Sequence, residues 1–177
     1  TVIIGVAVRQ ANKKISEKHI PLLGVMAAFV FAAQMFNFPV GGGTSCHFMG
    51  TTLIALLLCP WASVLIMTTV LTVQCLVFQD GGLTALGANI FNMGIVGGFF
   101  GYYVYTIIRL FAQGKKGLFI GSFTAAWCSL VLSATCCAVE LSISGTAPLK
   151  IVLPAMAGIH AMIGIGEGFI TIATLSM

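Results

Sequence analysis

Charge is scarce in this sequence. Of its 177 residues only 7% are Asp, Glu, Lys or Arg, eight basic against four acidic for a net +4, while 59% are hydrophobic. A soluble domain averages roughly 25% charged residues. Eight plus four charges cannot coat a globule of this length, so a water-soluble enzyme and a secreted disulfide scaffold are both excluded. Most of the surface must face hydrocarbon, and the mean hydropathy of +1.09 places the chain among polytopic helical membrane proteins. Nothing in the charge pattern forms a nucleic-acid patch. No Cys-x-x-Cys or zinc-ribbon spacing occurs among Cys46, Cys59, Cys75, Cys128, Cys136 and Cys137, which read as small packing residues in apolar runs. The only Gly-Lys pair, Gly114-Lys115, is followed by Lys116 rather than Ser or Thr and lacks the upstream glycine. There is thus no phosphate-binding loop, and the chain cannot hydrolyse ATP itself. No internal repeat supports an inverted-repeat carrier. Gly164, Gly166 and Gly168 sit in an apolar run with no preceding strand, so they are no nucleotide fingerprint.

What is present is a series of apolar runs divided by polar or glycine-containing turns. Thr1 to Val8 falls far short of the ~20 residues a crossing needs, and an upstream half-helix is expected. After the polar stretch Gln10 to Lys18, an apolar run extends from His19 or Ile20 to Phe38 and ends at Pro39. Gly41, Gly42 and Gly43 read as a loop, and Thr44 as the N-cap of a helix to Cys59, where Pro60 breaks it and opens the next. Pro60 to Phe78, Gly87 to Phe111, Leu118 to Ile143 and Ile151 to Met177 complete seven segments, the first truncated, in one all-α transmembrane domain over residues 1–177. Arg9, Lys13, Lys14 and Lys18 form one basic cluster and Arg109, Lys115 and Lys116 a second. Alternating crossings place both clusters inside. The 41–44, 79–86 and 144–150 loops then converge on the outer face. Gly94 with Gly98, Gly97 with Gly101, and Gly164 with Gly168 have the small-xxx-small spacing of close helix contacts, read as packing within the subunit over a surface for a partner.

An ionisable side chain within the bilayer costs several kcal/mol unless it meets a partner or water, so each is a functional candidate. His47 falls on the Thr44 helix, with Thr44 and Thr51 sharing its stripe. It is either an interfacial histidine bonded to a carbonyl or a ligand for nickel, cobalt, copper or zinc. His160 and Glu167 form a polar seam on the last helix: a hydrogen-bonded pair that fixes that helix, or a site acting behind a metal ligand or relaying protons. Asp80, before Gly81 and Gly82, reads as a capped turn or as an attractor of cations to the outer mouth. Asn89 and Asn92 open the helix that follows.

The strings Gly42-Gly43-Thr44-Ser45-Cys46-His47-Phe48-Met49-Gly50 and Asp80-Gly81-Gly82-Leu83-Thr84-Ala85-Leu86-Gly87-Ala88-Asn89, with Gln74, Asn92-Met93-Gly94, His160, Ile163, Gly164 and Glu167, resemble the CbiM/NikM substrate-capture subunits of energy-coupling-factor transporters for cobalt and nickel. The resemblance covers nearly the whole chain. It implies a multi-pass subunit of a prokaryotic cytoplasmic membrane that captures one metal ion outside. Its partners would be a transmembrane coupling subunit, cytoplasmic ATPase subunits and a small accessory membrane subunit. In that family the ion is held by the N-terminal amine, by the amide and imidazole of a histidine at the second position, and by the histidine that maps onto His47. Four nitrogens suit square-planar Ni(II), and binding through deprotonated nitrogens weakens as pH falls. The Met-His start is missing from this sequence, and Asp80 and Asn92-Met93 resemble the nickel branch more than the cobalt one. Thr44, Ser45, Gln74, Asp80, Asn89, Asn92, His160 and Glu167 are expected to support His47 or to order the loops around it. Two rivals are a gradient-driven metal/proton carrier using Glu167, Glu140 or Asp80, and an intramembrane metalloenzyme built on His47, His160 and Glu167.

Overall fold

The computed structural model describes residues 2–40 and 44–177, of which 38–40, 44 and 45 are described by their backbone alone. The Gly41–Gly43 loop therefore lies outside the described residues, as do the side chains of Thr44 and Ser45. The chain is helical, with one two-stranded hairpin. Helix α1 (Val2–Lys14) is followed by a 3₁₀ turn (Glu17–His19) and α2 (Ile20–Gln34). Strands β1 (Phe38–Val40) and β2 (Thr44–Cys46) lead to the short α3 (Thr51–Leu57). Then come α4 (Pro60–Val77), α5 (Leu86–Phe111), α6 (Gly114–Ile143) and α7 (Leu149–Leu175).

Helices α4 to α7 are each long and apolar enough to cross a membrane, and α1 with Glu17–Gln34 makes a fifth such unit if taken together, bent by 112°. Proline sets several starts: Pro21 and Pro60 occupy first turns, where their fixed φ suits the helix and no amide bond is lost. The Pro60 break matches the reading of the sequence.

Helix α1 extends beyond the apolar stretch that ends at Val8, through Arg9 and Gln10 to Lys14, with Ala7 and Ala11, one turn apart, both buried on the face against the bundle. One local expectation is corrected: Thr44 does not cap a helix. It pairs with Val40 in an antiparallel ladder that also joins Pro39 to Ser45 and Phe38 to Cys46, and residues 47–50 continue without regular structure. Gly50, in the left-handed region at φ 71, is the residue from which α3 starts. At seven residues α3 covers only about 10 Å, so 44–59 is an extended stretch joined to a half-length helix rather than a continuous helical crossing, and the Thr44, His47, Thr51 stripe does not exist.

One core cluster joins α2, α3 and α4 through residues such as Val30, Ile54 and Met67. A second unites Cys46 with Ala134 and Ala138 of α6 and Val152 and Met156 of α7. The glycine pairs do pack within the chain. A Cβ on Gly98 would strike Ser63 and one on Gly101 would strike Thr52, while Gly97 faces Met49, Gly164 faces Trp127 and Gly168 faces Phe123. Helix backbones thus approach where lipid supplies no hydrophobic force between helices, and α3 and the 47–50 stretch are seated directly on α5.

Candidate functional site

The extended stretch before α3 is where the structure concentrates its buried polar contacts. Both polar groups of the Met49 peptide are held by side chains from distant helices. Its N–H donates to Glu167 Oε2 at 2.7 Å, and the Gly50 N–H donates to Glu167 Oε1 at 2.8 Å. Both carboxylate oxygens of a residue only 3% exposed are thereby used. From the opposite side Gln34 Nε2 donates to the Met49 carbonyl at 3.1 Å, and Gln74 Nε2 donates to Gln34 Oε1 at 3.0 Å. Phe48 lies over Gly166, whose added Cβ would come to 3.1 Å from its ring, and a Cβ on Gly50 would come to 2.7 Å from Val30. A buried non-helical backbone in a membrane protein survives only where protein satisfies its polar groups.

This frame fixes His47. Its Nδ1 lies 2.8 Å from the Phe48 carbonyl. A carbonyl only accepts, so Nδ1 carries the proton and Nε2 keeps its lone pair. Burial holds the imidazole below its ordinary pKa, opposed by the Phe48 bond and by the negative charge of Asp80, which both raise it. The ring is therefore a neutral nitrogen donor with a carboxylate nearby, the form a metal needs. Of the two readings weighed for His47, the carbonyl bond is present in the structure, and it leaves Nε2 as the ring's free lone pair.

His47 opens onto a cavity of about 320 Å³ between α4, α5, α6 and α7, and Gln74, Asp80, Asn89, Asn92 and His160 line the same space. Six residues that the sequence nominated are thus brought together. Asp80 enters from the 78–85 turn: its N–H donates to the Gln74 carbonyl at 3.1 Å, and Gln79 and Gly81, at φ 56 and 83, carry the bend. Only Gly fits at 81, where a Cβ would meet Asn89 Nδ2 at 2.9 Å. Asp80 is thus both the turn residue and a cavity residue. Asn92 lies within a π-helical stretch of α5, Ile90–Val96, a distortion that often accompanies functional sites. Its Nδ2 donates to Glu140 Oε2 at 2.7 Å, and Ser133 Oγ donates to its backbone carbonyl at 2.8 Å.

Glu167 is the exception among the nominated residues. It does not line the cavity and does not pair with His160, whose Nδ1 donates instead to the Met156 carbonyl at 2.7 Å. The pairing reading is thereby corrected: at seven residues the two side chains share a face of α7 but stand about 10 Å apart along its axis, each with a nearer partner. The three residues of the metalloenzyme reading accordingly do not converge, and no group of three or more His, Cys, Asp or Glu that could hold a metal occurs among the described residues. Glu140 and Glu167, two of the proton sites of the carrier reading, are engaged by Asn92 and by the Met49 and Gly50 amides.

Three contributors escaped the sequence reading. Gln34 was visible as a lone amide near the end of an apolar run; Met49 and Ser133 carried no signal apart from their neighbours. Cys137, read as a packing residue, also lines the cavity, and all six cysteines are free.

A model of the cobalt uptake substrate-specific transmembrane region, CbiM, matches residues 1–177. A putative fused nickel transport protein of Archaeoglobus fulgidus is 47% identical over 162 residues, covering 90% of this chain and 53% of that protein. A putative metal transport protein of Haloquadratum walsbyi is 42% identical over 172 residues, covering 96% and 77%, and a cobalt transport protein CbiM of Sorangium cellulosum is 34% identical over 163 residues, covering 88% and 71%. The chain spans about half the length of the fused nickel relatives that it matches. Among solved structures, a truncated transition metal transporter superposes with a TM-score of 0.91 at 33% identity, over 99% of this chain and 87% of that one.

Proposed function

The chain belongs to the CbiM family, a family of transport proteins and not of enzymes, and on that premise we propose that it is the metal-capture subunit of an ATP-driven importer of the energy-coupling-factor type. The cargo is Ni(II), with Co(II) as the neighbouring alternative, taken up at the outer face of a prokaryotic cytoplasmic membrane by a single domain over residues 1–177. The observation that carries this reading is the His47 imidazole, locked by its Nδ1 bond to the Phe48 carbonyl and facing a cavity that Asp80 also lines. A neutral imidazole suits first-row divalent metals, and nickel accepts the planar nitrogen geometry that a fixed ring favours. The carboxylate of Asp80 raises the local concentration of cations at the entrance. Glu167, Gln34 and Gln74 hold the ring's peptide in place, so capture needs little rearrangement of the protein. Because no phosphate-binding loop is present in the sequence, the work of import comes from partner subunits: a transmembrane coupling subunit, cytoplasmic ATPases and a small accessory membrane subunit.

Calorimetric titration of the full-length protein with nickel tests the assignment. His47→Ala is expected to abolish high-affinity binding while leaving thermal unfolding intact; undiminished affinity in the variant defeats it. Liposomes holding the chain without ATPase partners, under an imposed pH gradient, separate this reading from a gradient-driven carrier, which alone gives robust metal flux.

A further inference from the structure

A second concavity lies apart from the His47 cavity. Ile3 and Val6 of α1, Trp61 of α4, and Ile95 and Phe99 of α5 enclose about 310 Å³, and its open surface is entirely apolar. Trp61 and Phe99 meet edge to face there, with ring centroids 4.8 Å apart and planes at 82°, a geometry that holds both rings in place. Ile3 is 47% exposed and Val6 40%, so the space is an open groove and not a sealed void. Left empty in a bilayer, such a groove forfeits the dispersion contacts of its lining, and apolar space does not hold water. What fills it must itself be apolar.

The end of α1 narrows the choice. The helix is continuous from Val2 to Lys14. Seven residues make close to two full turns and eleven close to three, so Lys13 stands over Val6, and Gln10 and Lys14 over Ile3, each within about 20°. The two lysines are exposed and lie about 10 and 16 Å farther along the axis than the groove residues beneath them. Arg9 and Lys18 add to this charge, and Glu17 is the only acidic residue before Gln34. An apolar groove thus runs along one face of α1 into a basic end. Its length matches the depth of one leaflet, half of the ~30 Å hydrocarbon core, and basic clusters at the ends of membrane helices attract anionic headgroups.

We propose that the groove binds an anionic glycerophospholipid: one acyl chain lies between α1, α4 and α5 against Trp61, and Lys13 and Lys14 hold the phosphate. The lipid thereby bridges α1 to the two longer helices. The proposal stands apart from metal capture, since no group of the His47 cavity takes part in it.

The test uses the indole in the groove. The chain has two tryptophans, Trp61 and Trp127, whose indole donates to the Ala161 carbonyl between α6 and α7. Full-length protein with Trp127→Phe therefore reports on the groove alone. It is placed in nanodiscs of equal parts phosphatidylcholine and phosphatidylglycerol, with bromine on the acyl chains of one lipid or the other, because bromine quenches only an indole close to it. Trp61 is expected to be quenched preferentially by phosphatidylglycerol, with a relative affinity about fivefold higher for each lysine engaged. Lys13→Gln with Lys14→Gln, both outside the groove, should bring the two lipids to parity at an unchanged unfolding midpoint. Val6→Phe, which fills the groove from an exposed position, should reduce quenching by both. The reciprocal Trp61→Phe protein, with Trp127 as reporter, should show no preference. The site is overturned if the two lipids quench Trp61 equally, if the preference survives the double lysine substitution, or if Trp127 shows the same preference. It is equally overturned if Val6→Phe changes nothing or if neither lipid quenches Trp61, the result expected when a protein segment fills the groove.

Discussion

Replacing Glu167 by Gln changes one atom of a side chain that never touches the cavity, yet it should weaken metal capture. Both carboxylate oxygens accept buried backbone N–H groups, from Met49 at 2.7 Å and Gly50 at 2.8 Å. Hydrogen bonds to a charged acceptor contribute about 1.5–3 kcal/mol each. The amide keeps one acceptor and turns an NH₂ group toward the other N–H. One bond is lost and a buried donor is left facing a donor, so a loss of about 3 kcal/mol is reasonable from the bond alone. The peptides released belong to the stretch that carries His47, whose ring is held by a carbonyl one residue before Met49. If two-thirds of the loss appears in preorganisation, about 2 kcal/mol, nickel affinity falls roughly 30-fold; the remainder appears as a lower unfolding midpoint. The assay pairs calorimetric titration with thermal unfolding of the full-length protein. Glu167→Asp, which keeps the charge but draws it back, should lie between wild type and Gln. Unchanged affinity and midpoint in Glu167→Gln would refute the claim that this carboxylate holds the loop.

Other outcomes follow from the same frame. Gly50→Ala meets both a left-handed φ of 71 and Val30 at 2.7 Å, so it should cost about 1–2 kcal/mol for the backbone and a further 1–3 kcal/mol for overpacking. Gly82→Ala, at φ 64 in open space, should cost only the first of these, and the two unfolding midpoints make the comparison. Gln34→Leu leaves the Met49 carbonyl and the Gln74 amide without partners and should lower stability by about 1–3 kcal/mol, read by the same melting curves. The pH dependence follows from His47. Burial lowers its pKa, so the imidazole stays neutral, and able to donate, until pH drops below the ordinary value of about 6.5. Protons compete only below that. The affinity gap between wild type and His47→Ala should therefore hold through neutral pH and narrow only in more acidic buffer; a gap that closes between pH 8 and 7 contradicts it.

Much of the molecule was legible because its signals are local. Apolar length, prolines at helix starts and the basic clusters gave the long helices, and glycine spacing gave their close contacts. Of the six cavity residues, His47, His160, Asn89 and Asn92 stood out as polar groups in or beside apolar runs, Asp80 as a turn carboxylate, and Gln74 only through the family resemblance; polarity in apolar surroundings is informative because burying a polar group without a partner is so costly. The 44–50 stretch was misread for the complementary reason. Thr44 followed by an apolar run has the local signature of a helix start, which here loses to an equally local hairpin ladder with Phe38–Val40; the Gln34 and Glu167 bonds that seat Met49 come from 15 and 118 residues away, and no local pattern reports them. The expected pairing of His160 with Glu167 failed because each found a backbone partner nearer than the other.

The grip on Met49 also bears on the order in which the protein is made. The peptide is clamped between Gln34 on α2 and Glu167 on α7, side chains far apart in the order of synthesis. Until α7 has been made and packed, the amides of Met49 and Gly50 lack their acceptor, and the imidazole ahead of them has no fixed bearing. A ribosome-bound chain that stops short of α7 consequently lacks the ring orientation on which the proposed capture rests.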